Sequence, residues 1–155
     1  MTHVYLATCD SPSFDETVAN AVDLSDESEL PESLEGSVEA RFWGVEPGSR
    51  NESNFERLES GDLVLFYRDD EYVATAWVES TFEDDEWASE TYWDDEERPM
   101  VYTVSEFESI SVPRAKVNAI FGYSGSYSPG SLMRVNPDNV DSHPESIKLA
   151  LSRVG

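Results

Sequence analysis

Large aromatic side chains crowd the places where the chain is expected to break or turn. Trp43 falls at the end of one candidate strand, Phe66 and Tyr67 on the next, Trp77 on its partner, and Trp87, Tyr92 and Trp93 in the polar run "DDEWASETYWDDEE". An indole or phenol so placed either closes over the core or offers its π-face to a planar ligand. Core burial is less expected for two tryptophans in so acidic a loop, which leaves a lid on the core and a stacking pocket as equal alternatives.

Signs of catalysis are missing. The sequence has no phosphate-cradling Gly-rich loop, no nucleophile elbow and no HExxH run. Among 33 acidic residues, paired carboxylates arise by chance. His3 and His143 lie far apart in sequence with no catalytic partner, and Cys9, the lone cysteine, permits no internal disulfide. Without Cys/His zinc spacing, neither a metal nor a cofactor is expected, and a reducing cytoplasm fits. The N-terminus "MTHVYLATCDSPSF" lacks a basic start, and no apolar run approaches the roughly 18 residues of a membrane span.

The elements that must position these residues can be read in order. "HVYLAT" is a short strand, and a helix follows from Pro12 to Val22, with Pro at its first position and acids in its first turn. Residues 23–37, polar and broken by Pro31 and Gly36, form a surface loop. "VEARFWGV" is a strand, "EPGSRNES" interrupts it, and "SNFERLES" supplies a helical turn before Gly61. "DLVLFYR" and "YVATAWVEST" form a hairpin about "DDE". After the tryptophan loop come a strand "MVYTVSEFESISV", a short helix "PRAKVNAIFG", a loop "YSGSYSPGS" and a last strand "LMRVN". The C-terminal helix "HPESIKLALSRV" has Ile147, Leu149, Leu151 and Val154 available for docking. The expected fold class is α+β, a small barrel of five to six strands with peripheral helices, and residues 1–155 form one domain without internal repeats.

The formal net charge is -23, and only Lys116 and Lys148 are lysines. Such acidity would ordinarily argue against nucleic acid, which is held by Lys and Arg. The acids, however, are spread along the whole chain, as in proteins of salt-loving archaea. In molar salt the Debye length falls to about 3 Å, which screens repulsion between surface carboxylates. Adaptation to solvent therefore accounts for the charge without invoking a basic partner.

"FWGV" followed by "RNESNFERLESGDLVLFYRDDEYVATAWVEST" resembles the EVE and YTH domains of the PUA-like superfamily: a strand, a polar "RN" segment with a short helix, then "GD" opening a strand "VLFY" and its partner. The likeness is best over residues 40–82 and extends more loosely to about residue 151. The tryptophan loop is similar to that of YTH domains, with Trp93 six positions after Trp87 where a separation of five is expected. Phe55 or Trp43 stands in for a third cage tryptophan, and Ala74 or Thr75 replaces an expected glycine. The first 36 residues have no counterpart, and the Gly-Lys-Glu-Arg type motif of the ASCH group is absent.

The resemblance implies a PUA-like module that accepts a modified or flipped base from DNA or RNA into an aromatic cage. Trp87 and Trp93 would stack on the base, Trp43 would lie on the floor with Tyr67 nearby, and Asn51 or Asn54 would read the base edge. Arg50, Arg57 and Arg68 flank this pocket in sequence and would contact phosphates. A separate nuclease or modification enzyme would be the partner. Two other readings remain open at this level: a PUA-like binder of structured RNA without a base pocket, and an enzyme acting on a small metabolite in the same cavity.

Overall fold

The computed structural model describes residues 3–9, 14–25, 34, 38–83, 99–140 and 143–154. Seven strands follow the hydrogen-bonded order β2-β3-β6-β5-β4-β1-β7. They are β1 (Val4–Thr8), β2 (Val22–Asp23), β3 (Glu39–Val45), β4 (Leu63–Arg68), β5 (Glu71–Glu83), β6 (Met100–Pro113) and β7 (Met133–Arg134). The α-helices among the described residues are α1 (Ser49–Arg57), α2 (Arg114–Ile120) and α3 (Pro144–Val154). The architecture is mixed α+β, but the expected barrel is not formed. β2 and β7 end the strand order without pairing to each other among the described residues, so the sheet is open. The chain divides into two compact units, one from Met1–Asp10, Gly61–Trp77 and Glu106–Gly155, the other from Ser11–Ser60 and Val78–Ser105.

In the first unit β1 pairs parallel to β4, with Val4 opposite Leu63 and Thr8 opposite Tyr67. Such a pairing across a long connection cannot come from a hairpin, and it buries both strands on both faces. Alternation places Val4, Leu6, Leu63, Leu65 and Tyr67 in one core cluster with Val117 of α2, Phe121 just after it, and Ile147 and Leu151 of α3. Tyr5, Val64 and Phe66, pointing the other way, are fully buried too. The hairpin β4–β5 turns on Asp69 and Asp70, both at positive φ (51° and 64°). Two such residues make the type I′ turn whose twist matches the strands. Phe66 pairs with Ala74 and Tyr67 with Tyr72, so Val73 is the extra residue of a bulge.

On α3, Ile147 and Leu151 are buried as expected, whereas Leu149 is 53% exposed. At 100° per residue, a position two along from Ile147 faces away from the core. Leu149 instead lines an open groove with Trp77 and Phe107.

In the second unit, β3 pairs antiparallel with β2 and β6, setting Val22 opposite Ala40 and Trp43 opposite Tyr102. Within the helix expected over Pro12–Val22, the described residues form a π-helical turn, Asp15–Ala19, and Val22 belongs to β2. Arg41 closes that turn by donating from Nη1 to the carbonyls of Val18 at 2.5 Å and Ala19 at 2.9 Å. A cation on the last carbonyls satisfies acceptors that a wide turn leaves without partners. Of residues 23–37, those described include Leu24 and Leu34, both buried.

Candidate functional site

α1 begins at Ser49, earlier than the pattern "EPGSRNES" indicates, and this puts Arg50, Asn51, Asn54 and Arg57 on one helix. Gly48 makes the early start possible: its φ of 143° lies where side chains rarely go, and its carbonyl accepts the amide of Glu52 at 2.8 Å. Phe55 and Leu58 turn inward and are buried. Asn51, half-buried, donates from Nδ2 to the Glu46 carbonyl at 3.1 Å, tying the helix to the end of β3. Asn54 is also half-buried, and Arg50 and Arg57 are exposed. Separated by seven residues, the two guanidiniums leave the same helix face about 10 Å apart along the axis.

Trp43, in the same unit, is 2% exposed, with the Phe14 ring edge-on to it at 5.5 Å and 87°. It offers almost none of its surface to solvent. Trp87, Tyr92 and Trp93 lie outside the described residues.

Tyr67 and Arg68 belong to the first unit. Tyr67 is 7% exposed, and its ring meets that of Tyr72 at 5.3 Å and 60°. Its hydroxyl donates to Asp70 Oδ1 at 3.1 Å and lies 3.2 Å from Ser128 Oγ. Beside them Arg114 Nη1 donates to Ser128 Oγ at 3.0 Å and approaches Tyr67 Oη at 3.4 Å. Tyr72 is fully buried and its hydroxyl has no partner among the described residues. Burial drives its phenol well above the ordinary tyrosine range, and the neighbouring Tyr67, Tyr127 and Tyr123 add to the shift. Arg68 is half-buried on β4.

Sequence reasoning passed over Arg114, Tyr123, Tyr127 and Ser128. Two tyrosines spaced by four in "GYSGSYSPGS" were the available signal, but only tertiary structure brings Arg114 to Ser128 and Tyr67. Among the described residues no group of three or more His, Cys, Asp or Glu could hold a metal ion, and no helix is long and apolar enough to cross a membrane.

No family model matches the chain, and no curated protein matches it. Its fold is similar to that of the N-terminal domain of Thermococcus gammatolerans McrB bound to m5C DNA, at a TM-score of 0.70 and 16% identity over 99% of both chains. It is similar also to a hypothetical protein from Leishmania major, at a TM-score of 0.54 and 16% identity, covering 99% of this chain and 96% of that one. An ASCH protein from Zymomonas mobilis aligns at a TM-score of 0.48 and 11% identity, covering 96% and 94%. At these identities the likeness is one of fold.

Proposed function

We propose that the chain is a nucleic-acid-binding module, a PUA-like domain of the EVE/YTH type, that takes a modified or flipped base into an aromatic pocket. The observation that carries this reading is the likeness over 99% of both chains to a domain bound to m5C DNA. The physics is favourable: stacking contributes roughly 1 to 3 kcal/mol per base, against a cost of a few kcal/mol to unstack and unpair the nucleotide. Trp87 and Trp93 supply the stacking faces and Trp43 the floor. Asn51 or Asn54 reads the base edge by paired hydrogen bonds, while Arg50 and Arg57 meet the flanking phosphates. The chain acts as a reader, and any cleavage or modification belongs to a separate enzyme.

Trp93→Ala tests the cage. Loss of a stacking surface weakens binding to a modified strand by roughly 1 to 3 kcal/mol and leaves stability nearly intact. Loss of a core anchor would instead cost about 3 to 5 kcal/mol of folding stability. Calorimetric binding and thermal melting on the same preparation, in high salt, separate the two. A variant that melts far below the parent, or that melts and binds like it, removes Trp93 from the cage.

A further inference from the structure

The loop after α2 carries chemistry that the proposed base pocket does not use. Tyr123 and Tyr127 are half-buried, with ring centroids 4.9 Å apart and planes inclined by 34°. Phe121 supports Tyr123 at 6.5 Å. Two side chains of α2 fix this loop. Asn118, fully buried, donates from Nδ2 to the carbonyls of Gly125 (3.4 Å) and Tyr127 (2.9 Å). Arg114 holds Ser128, and its Nη1 also lies 3.2 Å from Asp70 Oδ1.

The polar contacts of the Arg114 side chain all use Nη1, which leaves the Nη2 and Nε edge of the fork without a hydrogen bond among the described residues. That edge suits two oxygens of one phosphate. The Asp70 carboxylate is 76% exposed, and an ion pair so open to water is weak and can be exchanged for another anion. A guanidinium bonded to Ser128, in the loop that carries a half-buried aromatic pair and the exposed Ser124, Ser126 and Ser128, has the features that hold a nucleotide: a fork for the phosphate and a face for the base.

We propose that Arg114, Ser128, Tyr123 and Tyr127 form a second binding site, for a nucleotide of the strand other than the one being read, with its phosphate on Arg114 and its base stacked on Tyr123. The site rests on the reading of the chain as a nucleic-acid binder. Contact here is indifferent to base modification, because stacking is tolerant of sequence and a phosphate carries none.

The test measures fluorescence anisotropy of labelled oligonucleotides, with and without one 5-methylcytosine, bound by the full chain over a KCl series. Tyr123→Leu, which keeps apolar bulk against the core, should weaken both strands alike, by roughly 5- to 150-fold. Arg114→Gln should lower the slope of log affinity against log salt by about 0.7 to 0.9. Asp70→Asn, tolerated at positive φ, frees Arg114 and should tighten binding more than the equal charge change Glu145→Gln on α3. That gain is a readout that partial unfolding cannot imitate, and it decides the matter if Arg114→Gln is too unstable to assay. A parent that prefers the methylated strand and variants that bind as it does would overturn this site and leave the base-reading function standing. A parent indifferent to methylation with variants that still lose affinity would sustain the site and overturn the base reading. A parent that binds neither strand would overturn both.

Discussion

The Tyr72 hydroxyl is buried with no hydrogen-bond partner among the described residues. An unmet buried donor costs about 1 to 3 kcal/mol, so Tyr72→Phe is expected to leave stability unchanged or raise it within that range. The pH dependence has a definite sign. Because the folded pKa lies above the unfolded value of about 10, the unfolded chain ionises first, and stability present below that pH is lost as pH rises beyond it. Urea titrations at about pH 8 and about pH 11 should show the alkaline loss in the parent and less of it in the variant; equal losses would contradict this account of Tyr72. Residue by residue, the sequence is legible where chemistry is local. Tyr67 and Trp43 stand out because they are large and lie beside breaks, yet both are buried, which size alone does not reveal. Arg114 is invisible in the sequence because its partner Tyr67 is 47 positions away.

At the scale of elements, patterning shows most strands and misses what depends on backbone freedom. The hairpin β4–β5 is plain from alternation around two aspartates, and the start of α1 is hidden because Pro47 and Gly48 read as punctuation. Gly48 is in fact the cap of the helix, at a φ of 143°. A Cβ there would sit 3.7 Å from Asn51 Nδ2, an ordinary contact, so the cost of Gly48→Ala is backbone strain and not crowding. That cost is about 1 to 3 kcal/mol. Urea denaturation checks it, and a variant as stable as the parent would show that α1 can start elsewhere. The opposite faces of α3 follow from helical period, which separates buried Ile147 and Leu151 from exposed Leu149. The expected helix over Pro12–Val22 fails for a tertiary reason: Val22 pairs with Ala40, and a strand takes the residues that propensity would give to a last helical turn.

Over the whole molecule, the open strand order is the feature least available from sequence, because a parallel β1–β4 pair joins segments 59 residues apart, as Val4 to Leu63. Neither residue type nor alternation encodes such a closure. The charge is legible throughout, and -23 spread along the chain predicts a fold that needs salt. Its melting midpoint should rise between roughly 0.1 and 3 M KCl, and a flat midpoint would return the acidity to a basic partner as its cause. With ten basic residues against 33 acids, affinity for a strand must come chiefly from stacking and hydrogen bonds, with one to three phosphates engaged and a shallow salt slope of roughly -1 to -3. The most direct test of base reading is the ratio of dissociation constants for two oligonucleotides identical except for one 5-methylcytosine, measured in molar KCl. Tighter binding of the methylated strand is the predicted result; equal affinity for the two, together with equal affinity for strands carrying other single-base modifications, would contradict it.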